Sequence, residues 1–288
     1  METGVIKIVS VGEMTAAARR MRASGRTIGF VPTMGFLHEG HLSLVRAARE
    51  ASDAVVVSIF VNPIQFGPAE DLRTYPRDLG RDMALLDREG VEIVFCPDAA
   101  EMYPEHFRTF VRVEGLEDKL CGRSRPGHFR GVCTVVLKLF EIVQPDAAFF
   151  GRKDAQQALI LERMARDLNL GVRIDVRPIV REPDGLAMSS RNFYLSAEER
   201  RAALVLSRSL SLASGLIAAG ERPPGPVLDG MRSLIAAEPL ARIDYVEAVN
   251  PVDLEPADRL RDGTLIALAV FIGRTRLIDN ISVELPKG

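Results

Sequence analysis

The sequence predicts an α/β protein in which a mostly parallel, doubly wound sheet is followed by a smaller α+β domain. Short apolar runs alternate with helical patterns through the first two-thirds of the chain, and this β-α-β-α order is typical of parallel sheets. After Glu182 the order changes to two helical patterns and then three strand-like runs. A chain of 288 residues has room for two cores. We therefore expect domains 1–182 and 183–288, divided at the Pro-Asp-Gly turn 183–185.

The first predicted strand, 27–31, leads to a helix at 39–51 in which apolar residues repeat at helical spacing. The next run, 54–61, is continuously apolar, as in a strand buried on both faces. Glycine and proline end several later elements, at Gly90, Pro97, Pro145 and Gly171. The remaining predictions for this domain are helices 77–89, 129–143 and 154–168, and strands 91–95, 107–113, 147–150 and 172–176.

The second domain is predicted to begin with a capped helix. Ser196 is followed three residues later by Glu199, which completes a capping box. The helix continues towards Gly220, and a proline-rich break at 222–226 separates it from a second helix that ends near Ala237. The three strands are predicted at 243–249, 265–271 and 276–283.

Composition excludes several classes of protein. The chain is 47% hydrophobic and 26% charged with a net charge of −2, which argues against disorder and against a general nucleic-acid coat, which would need a basic domain. Three cysteines without a secretory signal indicate a reducing compartment. No apolar run approaches the ~20 residues that cross a bilayer. We therefore expect a cytoplasmic protein that binds neither membrane nor nucleic acid.

The segment 32–41, PTMGFLHEGH, joins a predicted strand to a predicted helix and contains the pattern H-x-G-H. His38 and His41 are three residues apart and therefore share one face of the first turn. Unpaired backbone N–H groups and the positive end of the helix dipole lie beside them, which favours the phosphates of a nucleotide. Two alternatives stay open. The histidines are surface or capping residues, or they bind a metal, although the zinc-protease pattern H-E-x-x-H is one residue longer.

Three further loops carry polar side chains. Residues 150–154, FGRKD, offer Lys153 as a point charge for phosphate, or only a capped helix start. Residues 188–192, MSSRN, offer hydroxyls and a guanidinium for phosphate oxygens, or only a solvated loop. Residues 62–67, NPIQFG, offer the Gln65 amide, which suits a small polar substrate with hydroxyls and a carboxylate. Because the carboxyl ends of parallel strands meet at one edge, we expect these loops to converge.

The basic run 123–130, RSRPGHFR, contains three arginines, a glycine and a histidine. Its composition favours a solvated surface loop. A mobile flap and a contact between two copies of the chain are the alternatives.

Five motifs in a fixed order carry a resemblance that covers nearly the whole chain: PTMGFLHEGH, FVNPIQFG, GHFRGV, FFGRKD and DGLAMSSRN. Together they resemble the pantothenate synthetase (pantoate–β-alanine ligase) family of the H-x-G-H nucleotidylyltransferase superfamily, as does 275–280, TRLIDN. The resemblance implies a Rossmann-like domain with a smaller C-terminal lid domain. It implies ATP-dependent condensation of pantoate with β-alanine to pantothenate through a pantoyl adenylate, with release of AMP and diphosphate. It also implies Mg²⁺ and a cytoplasmic homodimer.

Residue by residue, the resemblance implies three groups of contacts. Gln65 and Gln157 hold pantoate, and Gln65 also lies next to β-alanine. Val180 lies at the adenine, and His41 is the family's active-site histidine, a proton donor. The implied ATP contacts are Met34, Gly35, Phe36, Leu37, His38, Glu39, Gly40, His41, Gly151, Arg152, Lys153, Asp154, Val180, Met188, Ser189, Ser190 and Arg191.

For the chemistry, we expect a cationic and hydrogen-bonding group around the α- and β-phosphates, made of His38, His41, Lys153 and Arg191. Asp82 is a candidate to help hold Mg²⁺. Two positions depart from the family pattern, because Arg152 stands where glutamate is usual and Ala155 where tyrosine is frequent. Arg152 adds positive charge near the triphosphate and puts any carboxylate role there in doubt.

Three other functions remain as alternatives. One is a nucleotidylyltransferase that moves AMP onto a phosphate, and its products would distinguish it from an amide-forming ligase. A tRNA synthetase is disfavoured because no domain for an anticodon is evident. A catalytically silent nucleotide sensor is disfavoured by the intact histidines, Lys153 and Arg191.

Overall fold

The computed structural model describes residues 4–68 and 70–285, and its larger sheet has six parallel strands. Their order is β1-β4-β3-β2-β5-β6. The strands are β1 Ile6–Ile8, β2 Ile28–Thr33, β3 Ala54–Ile59, β4 Ile93–Phe95, β5 Ala147–Gly151 and β6 Arg173–Arg177. From β2 the chain adds strands on one side through β3 and β4, and then on the other side through β5 and β6. The switch point between β2 and β5 is where such sheets form a ligand crevice.

Helices cover both faces of this sheet, as predicted for a doubly wound fold. Buried side chains of α1, α6 and α7 form one core on the sheet, and those of α2 and α3 form the core on the opposite face. The helices before the domain boundary are α1 Val11–Ala23, α2 Glu39–Ala51, α3 Leu79–Arg88, α4 Ala99–Met102, α5 Cys121–Ser124, α6 His128–Val143 and α7 Ala155–Asp167.

The rest of the chain forms the predicted smaller α+β unit. Its helices are α8 Ala197–Ala202, α9 Leu204–Ala218 and α10 Pro224–Ala236, and its antiparallel sheet contains β7 Ala241–Val249, β8 Leu265–Ile272 and β9 Thr275–Ser282. The Ser196–Glu199 capping box is confirmed. The proline-rich break is shorter than predicted, because α10 begins at Pro224 and proline is tolerated in the first turn of a helix.

The central strand β8 joins two cores. Leu265, Ala267 and Ala269 belong to the core of the parallel sheet, whereas alternate residues such as Ile266 and Leu268 belong to the core of α9 and α10. An apolar run buried on both faces explains why this strand shows no polar alternation. The boundary at 182/183 stays a prediction; it falls within a short hairpin, in which Arg181 pairs with Ala187.

One predicted strand is wrong, and two elements were not predicted, besides the four-residue helices α4 and α5. Residues 107–113 form no regular secondary structure and pair with no strand in the described part of the chain; instead Thr134 accepts a hydrogen bond from the Val111 N–H at 3.0 Å. Strand propensity is local, whereas a strand needs a partner. The missed elements are β1, a three-residue edge strand, and α1, whose first turn is capped by Ser10.

One helical stretch, Ala197–Ala218, is long and apolar enough by composition to cross a membrane. It is divided into α8 and α9, and it begins with the charged segment AEERRA. Several of its apolar residues, including Leu206, Leu210 and Ile217, are buried in the second core, whereas Leu212 is 37% exposed. This burial is typical of a helix in a protein interior.

Candidate active site

Two adjoining cavities lie beyond the carboxyl ends of β2, β3 and β5. The smaller has a volume of about 220 Å³, and the larger, between the parallel sheet and the C-terminal sheet, about 1040 Å³. Both are lined by Lys153, Asp154, Gln157, Ser189 and Arg191. The two spaces are therefore neighbouring parts of one crevice at the switch point of the sheet.

The loop after β2 is shaped by one buried carboxylate. Gly35 and Phe36 both have positive φ, at 82° and 51°. Asp82 on α3, with an exposed fraction of 1%, accepts hydrogen bonds from the backbone N–H groups of Phe36 at 2.7 Å and Leu37 at 2.8 Å. These two bonds hold the turn that delivers His38 to the start of α2.

The same geometry does not support Asp82 as a ligand of Mg²⁺. Each of its oxygens already accepts a backbone N–H, and the side chain is 1% exposed, whereas Mg²⁺ usually keeps several waters. No cluster of three or more His, Cys, Asp or Glu suited to a metal occurs within residues 4–68 and 70–285. The alternative of a histidine metal site finds no third ligand there either.

His38 and His41 form a reciprocal cap at the start of α2. The Nδ1 of His38 accepts from the Gly40 N–H at 3.2 Å, and the Nδ1 of His41 accepts from the His38 N–H at 3.3 Å. Their ring centroids are 4.0 Å apart. A Cβ on Gly40 would lie 2.9 Å from the His38 ring, so glycine is needed there for space. Capping, one of the alternatives, is thus part of what these histidines do.

The cap determines the tautomer of both imidazoles. Because each Nδ1 accepts a hydrogen bond from the backbone, the proton of each neutral ring is on Nε2. Burial lowers the pKa of His38 to about 4, and the Lys153 charge contributes. Burial also lowers the pKa of His41 well below its usual value, helped by His38 and Lys153. Both rings line the smaller cavity as neutral hydrogen-bond donors.

We expect His38 to remain neutral between about pH 6 and 8, where an ordinary histidine titrates. Its ring ¹⁵N resonances, assigned with a His38→Gln variant, should show a midpoint near pH 4. Because the pKa is lower in the fold than in the unfolded chain, the unfolded chain takes up the proton first. The contribution to the free energy of unfolding is therefore complete above about pH 6.5 and is lost as pH falls towards 4. A midpoint at or above about pH 6 would contradict this assignment.

Gln65 is held at the end of the turn that follows β3. Its Oε1 accepts from the Asn62 amide at 3.0 Å, and its Nε2 lies 3.2 Å from the Met34 sulfur. The buried Asn62 is fixed in turn by the Tyr103 hydroxyl and the Gly131 carbonyl. A Cβ on Gly131 would lie 2.5 Å from the Ile64 carbonyl oxygen, so α6 packs directly against this turn.

The cations come from two other loops. Lys153 follows β5 and its Nζ lies 3.2 Å from a carboxylate oxygen of Asp154. Arg191 makes a bidentate pair with Asp71, at 3.0 and 2.9 Å. Burial alone would raise the pKa of Asp71, but the hydrogen bonds and charge of Arg191 hold it below its usual value. The pair uses the Nε and one terminal nitrogen of the guanidinium, so further N–H donors of Arg191 are available for a phosphate.

The structure brings most of the predicted site residues together. Those that line the smaller cavity are Met34, His38, Gly40, His41, Gln65, Gly151, Lys153, Asp154, Gln157, Val180, Met188, Ser189, Ser190 and Arg191. Five predicted ATP contacts line neither cavity: Gly35, Phe36, Leu37, Glu39 and Arg152.

Four of these five have a visible structural surrounding away from the cavities. Leu37 is buried in the core, and Phe36 packs on Phe193 with ring centroids 5.3 Å apart. Glu39 is exposed and pairs with Arg46. The side chain of Arg152 is also exposed, whereas Ala155, the other departure from the family pattern, lines the larger cavity.

The expectation of a solvated loop at 123–130 is wrong for Phe129, which is buried, and for two of the basic side chains. The Arg125 side chain is only 15% exposed and pairs with Glu70 through two nitrogens, at 2.8 and 2.5 Å. His128 binds the Gln65 carbonyl oxygen at 2.9 Å through Nδ1. Both line the larger cavity. The composition of this run was evident from the sequence, but the partners of its basic side chains, Glu70 and the Gln65 carbonyl, are remote in the chain.

Other contributors were also missed. Asn62 stands in a motif noted for Gln65, and Asp71 was not noted, although these side chains fix Gln65 and Arg191. Of the adjacent glutamines, Gln157 lines both cavities, whereas Gln156 lines only the larger one, is buried and accepts from the Cys121 N–H. Helical phase distinguishes these two only once the neighbouring elements are in place.

The chain is similar to known proteins over nearly its whole length. A family model described as pantoate-beta-alanine ligase matches residues 7–282. Pantothenate synthetase of Heliobacterium modesticaldum is 60% identical, covering 96% of this chain and 99% of the relative. That of Pelotomaculum thermopropionicum is 59% identical, covering 94% and 96%.

Solved structures agree. The crystal structure of pantothenate synthetase from Thermus thermophilus matches with a TM-score of 0.92 and 46% identity, covering 96% of this chain and 99% of that one. Pantoate-beta-alanine ligase from Francisella tularensis, complexed with beta-gamma ATP and beta-alanine, matches with a TM-score of 0.81 and 32% identity, covering 97% and 98%.

Proposed function

The chain belongs to the pantoate–β-alanine ligase family, and on that premise we propose that it condenses pantoate with β-alanine at the expense of ATP. The products are pantothenate, AMP and diphosphate. The observation that carries the proposal is the convergence of neutral histidines, two cations and two glutamine amides on one crevice at the switch point of the sheet.

The first step activates the pantoate carboxylate. A carboxylate oxygen attacks the α-phosphorus of ATP, the bond to the diphosphate oxygen breaks, and pantoyl adenylate forms. Alignment and neutralisation of charge supply most of the catalysis in such a transfer. His38 and His41 donate through Nε2–H to phosphate oxygens, while Lys153 and Arg191 supply positive charge. A neutral imidazole with its proton on Nε2 stabilises the phosphates without giving up that proton.

Pantoate and the nucleotide occupy neighbouring parts of the crevice in this proposal. Gln65 and Gln157 bind pantoate through their side-chain amides, which offer donors to a carboxylate and acceptors to hydroxyls. Val180 lies at the adenine, and the backbone near Met188 and the hydroxyls of Ser189 and Ser190 bind the nucleotide.

The second step forms the amide. The neutral amine of β-alanine attacks the acyl carbon of the adenylate, AMP leaves, and the amine releases its proton. The adenylate must be kept from water in the interval. We assign that role to residues 183–288, acting as a lid over the larger cavity, whose volume leaves room for the second substrate.

The half-reactions test this function. With ATP and pantoate alone, we expect one equivalent of diphosphate per site and no steady release of AMP, because the adenylate stays bound. Addition of β-alanine should start continuous formation of AMP and pantothenate. Steady AMP release without β-alanine, or transfer of AMP onto a phosphate acceptor, would contradict the ligase and favour the alternative nucleotidyl transfer.

Three further expectations are part of the proposal. Mg²⁺ enters with ATP as part of the substrate, since Mg²⁺ is commonly held by substrate phosphates with few protein ligands. The protein is cytoplasmic, in keeping with three free cysteines. It is a homodimer, as the family resemblance implies, and exposed apolar side chains such as Phe110, 38% exposed, are available for such a contact. Light scattering tests the dimer by the mass in solution.

A further inference from the structure

Two adjacent side chains of β9 contact both loops that carry the proposed phosphate-binding cations. Asn280 and Asp279 are 3% and 2% exposed and lie in the C-terminal sheet, paired with Ala267 and Leu268 of β8. Neither was assigned a role from the sequence, although both belong to the TRLIDN segment. Both side chains form hydrogen bonds with residues outside the C-terminal sheet.

Asn280 binds the loop after β5. Its Nδ2 donates to the backbone carbonyl oxygen of Arg152 at 3.0 Å and to that of Lys153 at 2.9 Å. These bonds fix the orientation of the amide, because a flipped side chain would set its oxygen against two carbonyl oxygens. The Oδ1 of Asn280 is buried without a hydrogen-bond partner among the described residues, so this side chain is committed to the two carbonyls.

Asp279 binds the hairpin at the domain boundary. Its two oxygens accept from Arg181 at 2.7 and 2.9 Å, and Arg181 also donates to the Gly185 carbonyl at 3.0 Å. Val180 and Met188 close the base of this hairpin through a backbone hydrogen bond of 3.0 Å. The segment with Ser189, Ser190 and Arg191 follows directly in the chain.

We propose that Asp279 and Asn280 are positioning residues that hold the Lys153 loop and the 180–191 segment at a fixed separation, so that the C-terminal domain sets the affinity for the nucleotide. This inference rests on the nucleotide site proposed above. Lys153 follows β5, whereas Arg191 lies well beyond β6, and the two contacts from β9 tie both segments to one strand of the C-terminal sheet. By linkage, nucleotide binding then stabilises the packing of the C-terminal domain.

The test removes the two N–H donors of the Asn280 amide and measures KM for ATP and KM for pantoate separately. In Asn280→Ala, the loss of two hydrogen bonds should raise KM for ATP by about tenfold, while KM for pantoate changes by less than about twofold. Asn280→Ser, which is a smaller perturbation, should fall between this variant and the wild type.

The matched control is Thr264→Ala. Thr264 is also a buried polar residue of the C-terminal domain, but its hydroxyl accepts from the Arg261 N–H, within that domain. It should lower Tm without a selective change in KM for ATP. If Thr264→Ala and Asn280→Ala raise KM for ATP equally, or if Asn280→Ala raises KM for ATP and pantoate equally, the positioning role is overturned.

A readout independent of turnover separates this inference from the proposed function. ATP alone should raise Tm of the wild type, because a ligand that binds the native state stabilises it. The rise should be smaller in Asn280→Ala and Asn280→Ser. An equal rise of Tm in the variants overturns only the positioning role of Asp279 and Asn280. No rise of Tm and no diphosphate formation in the wild type overturn both the nucleotide site and that positioning role.

Discussion

His41→Ala should lower the rate of adenylate formation by about 10² to 10³, the usual cost of removing one donor from charge that develops in a transition state. The reason is geometric: the His41 Nδ1 is occupied by the His38 N–H, so Nε2–H is the free donor of a ring that lines the smaller cavity. The measurement is the single-turnover release of diphosphate from ATP and pantoate. A loss of less than about tenfold would show that His41 does not stabilise the reacting phosphates.

The variant His41→Gln distinguishes two roles of His41, hydrogen-bond donation and proton transfer. The glutamine amide can donate a hydrogen bond but cannot transfer a proton, so this variant should retain more activity than His41→Ala if the ring acts as a neutral donor. Equal loss in the two variants would favour proton transfer, the role that the family resemblance implies. Glu50→Ala, an exposed position at the other end of α2, is the control for general effects on the helix.

Gln65→Ala should raise KM for pantoate by about ten- to a hundredfold while leaving KM for ATP within about twofold, since hydrogen bonds to a charged group are worth ~1.5–3 kcal/mol. The Asn62 and Met34 contacts, and not the Lys153 or Arg191 loop, hold the Gln65 amide at the cavity. Steady-state kinetics with each substrate varied in turn would measure the effect. Equal damage to the use of both substrates would contradict the assignment of Gln65 to pantoate.

Gln65→Glu makes the same prediction sharper. This variant keeps the shape of the side chain but replaces the donor with a carboxylate that repels the pantoate carboxylate, so the rise in KM for pantoate should exceed that of Gln65→Ala. Ile64→Val is the matched control, because Ile64 lies in the same turn but does not line either cavity.

The parallel sheet and the four loops were predictable because their signals are local. Buried runs such as 54–61, and the breaks at Gly90 and Pro145, identify successive strands and helices within a few residues. The rule that ligands bind at carboxyl strand ends then brings the H-x-G-H loop and the Lys153 loop to one edge. The strand predicted at 107–113 is wrong because its residues have the right composition but no partner strand among the described residues.

The candidate site was less predictable than the fold, and the predictions that the structure does not support share one cause. A search for carboxylates near phosphate loops selects Asp82 as a metal ligand, yet its oxygens hold the Phe36 and Leu37 N–H groups. The basic run 123–130 has the composition of a surface loop, yet the Arg125 side chain is largely buried in an ion pair with Glu70. In each case the role of a side chain depends on a partner remote in the sequence, which no local pattern reveals.

By itself, the sequence determined the α/β class, the order of the elements and the chemical groups that the loops carry, because periodicity, caps and breakers act over a few residues. Only the tertiary structure decided which atoms of those groups are free to act. It leaves Nε2 as the free nitrogen of both histidine rings at the crevice, buries Gln156 while Gln157 lines both cavities, and ties the Lys153 loop to Asn280. These outcomes depend on hydrogen bonds and packing between distant segments, which exist only once the chain has folded.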